Sequence, residues 1–95
     1  MIAVVARVAV KAGKSDEFLK EAKIVVEETR KENGCISYEG NQNTEDPLKF
    51  AIIEKWESKE CLDAHMQTAH FKNFVAALGG LAAEETVIDV YSPLK

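Results

Sequence analysis

The chain is poor in most of the features by which a sequence declares its chemistry. It has two cysteines and two prolines in 95 residues, with one tryptophan and two histidines. Cys35 and Cys61 are too few for a disulfide framework and too far apart for a CxxC redox pair. They are expected as free, packed thiols in a reducing compartment. No Lys/Arg cluster rises above the mixed charges, and the net charge is −4. That balance argues against nucleic acid, which needs a basic face to neutralise phosphates. No run approaches the roughly 18 apolar residues of a membrane span. The start, MIAVVARVAVKAGK, has neither the basic segment nor the small-residue cleavage site of a secretory leader. The expectation is a cytoplasmic protein that meets neither membrane nor nucleic acid. Phosphate loops of the GxGxxG or GxxxxGK[ST] type are missing, as is a serine nucleophile elbow.

What remains is an ordinary globular composition, 46% apolar and 29% charged. Residues 1–95 are read as a single domain, small enough that pairing with a second copy would add useful burial. Residues 2–11 alternate with period two and are apolar on both faces, with Arg7 marking the second face as wetter. Ser15 is placed to cap a helix with the stripe Phe18, Leu19, Ala22, Val25, Val26 and Thr29, which Gly34 ends. Segments 35–43 and 48–57 read as a hairpin, and on the second strand Phe50, Ile52, Glu54 and Trp56 share one face. Ser58 and Thr68 are N-caps for two successive helices with a kink between them, and Gly79-Gly80 stop the second. A last strand covers 86–91.

The order β-α-β-β-α-β is the α+β, ferredoxin-like arrangement. Connection rules are read to place the first and third strands centrally and parallel, with the helices on one face. The other face keeps Val5, Ala9, Val87 and Tyr91 uncovered, which points to a second copy packed sheet against sheet.

Residues 50–74 hold the only Trp and both His. Trp56 is either a core or interface residue or a stacking platform for a flat ligand. Glu54, on an apolar face, is either paired with a cation such as Arg7 or pushed up in pKa by desolvation. His65 lies on the apolar stripe of its helix, as a structural hydrogen bonder or a general base. His70 falls in the first turn after Thr68, where the helix dipole disfavours the imidazolium; it could position a substrate oxygen or serve the cap. The two histidines are five apart across a kink, and no ligand-spaced cluster accompanies them, so no metal is expected. Cys61 has no partner base to make it a nucleophile.

The string IEKWES, followed by Ala64-His65-x-x-Thr68-x-His70-Phe71, resembles the antibiotic biosynthesis monooxygenase (ABM) family, especially its quinol monooxygenase-like branch. Lys11-x-Gly13-Lys14 and Glu32-x-Gly34-Cys35-x-x-Tyr38 agree, so the resemblance runs along nearly the whole chain. It implies a dimeric α+β barrel with a cavity between sheet and helices. It also implies oxygenation of a small phenol, anthrone or quinol by O2 with no cofactor, neither flavin, metal nor haem. Carried over, Trp56 would wall or stack the ring, His65 would accept the phenolic proton, and His70 or Glu54 would orient a polar edge. Tyr38, Phe71 and Phe74 would supply apolar wall. Haem-degrading relatives use a first-strand Asn that residues 1–11 lack. Two alternatives stay open: an isomerase of a small oxygenated signalling metabolite of the autoinducer-2 type, and a non-catalytic dimeric ligand binder.

Overall fold

The computed structural model describes residues 1–94. The chain runs β1 (Ile2–Ala9), α1 (Ser15–Thr29), β2 (Cys35–Gln42), β3 (Lys49–Trp56), α2 (Lys59–His65), α3 (Ala69–Leu81) and β4 (Val87–Tyr91). The four strands form one sheet in the order β2-β3-β1-β4. The ferredoxin-like reading holds, with the expected kink dividing the second helical region into α2 and α3.

One topological expectation is corrected: β1 and β3 are central but antiparallel. A crossover through α1 returns β2 parallel to β1 and leaves a gap of one strand. The hairpin partner β3 fills that gap, so it opposes both neighbours.

The register fixes what each face carries. Val4 pairs with Glu54 on one side and Val90 on the other, and Glu54 pairs with Tyr38. These four side chains therefore form one row across the sheet, on the face that packs against the helices. Phe18 and Val25 of α1, Leu62 of α2, and Phe74, Leu78 and Leu81 of α3 are buried against it. Phe18 stacks at 4.6 Å on Phe50, tying α1 to β3. The opposite face carries Val5, Ile53, Val87 and Tyr91, with Ile53, Val87 and Tyr91 about half exposed. On that face Arg7 is bonded to Asp89 at 2.8 Å, which removes it as a partner for Glu54.

Four local expectations change. Ser15 does not cap α1: Lys14 occupies the cap position and no side chain bonds the first turn, where Asp16 and Glu17 meet the positive helix end instead. Leu19 leaves the buried stripe and is half exposed. The helix α1 ends at Thr29, and a turn carries the chain to Gly34, whose φ of 85° is the left-handed conformation. Gly34 is also squeezed, since a Cβ there would lie 2.3 Å from the sulfur of Cys61. The fourth change is that α3 runs through Gly79-Gly80 to Leu81. Each glycine costs a helix about 1 kcal/mol, but Leu78 and Leu81 are buried and hold the last turn in place.

No helix among the described residues is long and apolar enough to cross a membrane. Both cysteines are half-buried and free, as expected, and burial raises the Cys35 thiol, with Glu32 and Glu54 adding to the effect.

Candidate active site

The break between α2 and α3 is what brings the histidines together. Ser58 Oγ accepts the Cys61 N–H at 3.3 Å, starting α2. Thr68 Oγ1 accepts the Phe71 N–H at 3.3 Å and donates to the His65 carbonyl at 2.7 Å. One hydroxyl thus ends one helix and begins the next. His65 comes at the end of α2, wholly buried, and His70 in the first turn of α3, partly open.

Glu32, in the turn after α1, lies between them. Its Oε2 is 2.7 Å from His65 Nδ1 and 2.7 Å from His70 Nε2. A carboxylate oxygen only accepts, so both ring nitrogens are the N–H donors. That fixes the tautomer of His65, whose Nε2 is left as a lone pair, buried and without a partner. Its ring is wedged by Trp56 at 4.8 Å, Phe71 at 5.0 Å and Tyr38 at 5.4 Å between centroids. Burial lowers the His65 pKa, against the opposing pull of the Glu32 hydrogen bond and charge. His65 is a neutral imidazole at neutral pH.

Glu54 meets its alternatives on the desolvated side. It is 5% exposed and has no cation partner among the described residues. Its Oε1 accepts the Trp56 indole N–H at 2.9 Å. Burial pushes its pKa up to about 7, the indole hydrogen bond opposing and Glu32 reinforcing. Burial, and then the charge of Glu54, also raise the Tyr38 hydroxyl.

Glu54, Tyr38 and His65 line a cavity of about 440 Å³ between the sheet, α2, α3 and β4. Its wall is mostly apolar, with Val4, Ile52, Phe71 and Phe74 contributing. Of the residues singled out from the sequence, Tyr38, Glu54, His65, Phe71 and Phe74 lie on this wall, while Trp56 and His70 do not. Trp56 is fully buried behind the wall, where it holds Glu54. His70 holds Glu32, which holds His65.

The sequence shows no ligand-spaced cluster beside the histidines, but the fold brings Glu32 to both. Its ligand atom and those of His65 and His70 lie within 4.8 Å of one another, a set able to hold a metal ion. Glu32 stands in the Glu-x-Gly-Cys-x-x-Tyr string, yet 33 residues separate it from His65, beyond the reach of any spacing rule. Its partner Gly34 was the available signal, because a turn pinned against Cys61 also pins what precedes it.

The sequence profile of the antibiotic biosynthesis monooxygenase family matches residues 1–77. The chain belongs to this family. Among relatives, an ABM chain such as this is 37% identical over 76 residues to YcnE of Bacillus subtilis, provisionally named a monooxygenase, covering 80% of each. It is 33% identical over 90 residues to sll1783 of Synechocystis, covering 95% of this chain but only 61% of that protein. A conserved protein from Methanosarcina mazei, 39% identical, superposes with a TM-score of 0.91 over 95% of this chain and 89% of the other. The shared ABM fold is therefore settled by sequence and structure together.

Proposed function

We propose that this ABM protein is a cofactor-independent monooxygenase acting on a small aromatic phenol, anthrone or quinol with O2, in one unit spanning residues 1–95. The observation that carries the reading is His65: a neutral imidazole, its Nδ1–H held by Glu32, its Nε2 unpartnered, on the wall of an apolar cavity that also presents Glu54. His65 Nε2 takes the phenolic proton. The resulting anion, shielded from water, passes one electron to O2, and the radical and superoxide combine at a carbon conjugated with the oxyanion that carries one hydrogen. The peroxide takes up the proton held by His65, and loss of water, made of that hydrogen and the outer OH, leaves a carbonyl. One oxygen atom ends in product and one in water, and the substrate supplies all four electrons. Glu54, titrating near neutrality, donates a hydrogen bond to the substrate oxygen as charge develops there.

The substrate is uncharged. Glu54, Glu84 and Glu85 line the cavity and, among the described residues, no Lys or Arg does. A carboxylated analogue of a good substrate is expected to show kcat/KM lower by about tenfold or more, since like charges repel in a dry site. The primary test is O2 consumption on a panel of neutral anthrones and quinols under ¹⁸O2, with one labelled atom expected per product. Turnover that persists without O2 and leaves the product unlabelled would hand the cavity to an isomerase.

The same reading places a second copy on the open sheet face and the protein in the reducing cytoplasm. Ile53 is 46% exposed at the middle of that face, beside Val5. Wild type is expected to sediment at twice the chain mass and Ile53→Lys as a monomer, because the substitution buries an unpaired ammonium. A monomeric wild type would end the claim.

A further inference from the structure

We propose that Glu32, His65 and His70 form a binding site for a divalent first-row transition metal, and that its occupancy switches His65 from a base to an N–H donor. Two imidazoles and one carboxylate are a donor set suited to Zn²⁺, Co²⁺, Ni²⁺ or Fe²⁺. The five-residue spacing of the histidines is no obstacle, because the break at Thr68 re-aims the second helix and both rings converge on one Glu32 oxygen. In a tetrahedral zinc site, bonds of about 2.0–2.2 Å set the donors roughly 3.3 Å apart. The three donor atoms already lie within 4.8 Å of one another, so shifts of about 1 Å make room for an ion between them. The Glu32 and His70 side chains are 14% and 20% exposed, which leaves a route in from solvent and space for a water as fourth ligand.

Neither Glu32 nor His70 lies on the cavity wall, so an ion here meets no substrate in the cavity. It acts through the ring of His65. Coordination needs the Nδ1 lone pair, and a neutral imidazole that gives up the Nδ1–H carries its hydrogen on Nε2 instead. The lone pair that faces no partner in the metal-free protein becomes an N–H. That N–H also lacks the acceptor that metal-bound histidines normally have, so the affinity is moderate and the ion exchangeable. The inhibitory consequence rests on the base role proposed above; the site and the tautomer switch do not.

The test uses the full chain stripped with EDTA and titrated with ZnCl2 by calorimetry, with the histidine tautomers followed by long-range ¹H–¹⁵N NMR. One zinc per chain is expected, and the His65 spectrum should change from the Nδ1–H to the Nε2–H form. His70→Ala, at a partly exposed position, should weaken binding by at least the roughly 10–100-fold seen when an outer partner of a metal ligand is lost. Glu32→Gln should weaken it as well, and folding of both variants is checked by circular dichroism. If wild type takes up no zinc at 1 mM, or if both variants bind as well as wild type, the site is refuted. Binding with an unchanged His65 tautomer refutes the switch. Zinc binding by a protein that consumes no O2 upholds the site and rejects the monooxygenase reading alone.

Discussion

His65→Gln is expected to lower kcat/KM for a phenolic substrate by roughly 10²–10⁴-fold at pH 7, the range a positioned general base supplies. Glutamine fills much of the same space and can still donate to Glu32, so the pocket walls formed by Trp56, Tyr38 and Phe71 keep their packing. What it lacks is the Nε2 lone pair. The pH profile separates this from a structural loss. In wild type, burial holds the imidazole pKa below 6.5, so the base is already free at pH 7 and its own acid limb lies below that value. In the variant the rate should climb with pH toward the phenol's own pKa, near 10 as for tyrosine, because hydroxide then prepares the anion that His65 no longer makes. A variant that keeps more than a tenth of wild-type activity at pH 7 would remove His65 from the chemistry. So would one equally impaired at every pH.

The fold was legible because its signals are local and mutually consistent. Alternation in residues 2–11, the caps Ser58 and Thr68, and the polar hairpin loop each act over a few residues, and together they admit one arrangement. The misreadings have physical causes. Gly79-Gly80 look like a helix stop, but buried Leu78 and Leu81 on either side outweigh the local cost. Gly34 looks like the end of α1, yet it is held by a contact with Cys61, 27 positions away in sequence and invisible to any local rule. The candidate site was half legible. Glu54 on an apolar strand face announced a perturbed carboxyl, and the register then decided between its two readings by sending Arg7 to the opposite face. Trp56, either a core residue or a stacking platform on the sequence alone, is fully buried. Its indole N–H, turned inward to Glu54, makes it a positioning residue behind the wall. Glu32 was out of reach, since its role exists only once α1, α2 and α3 have packed.

The cost of keeping Glu54 dry should be measurable as a pH dependence of stability. Its pKa moves from 4.5 to about 7 on folding, with Trp56 Nε1–H, Tyr38 and the Glu32 charge as the groups around it. Between those values the folded state holds a proton that the unfolded chain has released, so stability falls as pH rises. The contribution is full below pH 4.5 and is lost through pH 7. At about 1.4 kcal/mol per pH unit, the total is about 3 kcal/mol. His65 works in the opposite sense: its lowered pKa supports stability above pH 6.5 and withdraws it as pH falls. Wild type alone therefore mixes two slopes, and Glu54→Gln separates them. The amide keeps an oxygen for the indole and cannot ionise. Urea midpoints are expected to be similar for the two proteins at pH 4.5, and the variant should be more stable by about 3 kcal/mol at pH 8. A gap that does not change with pH would mean Glu54 titrates normally and that the cavity is wetter than its lining suggests. A gap that opens as expected would identify a stability cost that packing does not require, since an uncharged residue at position 54 would fold better. A chain keeps such a cost where the carboxyl is used.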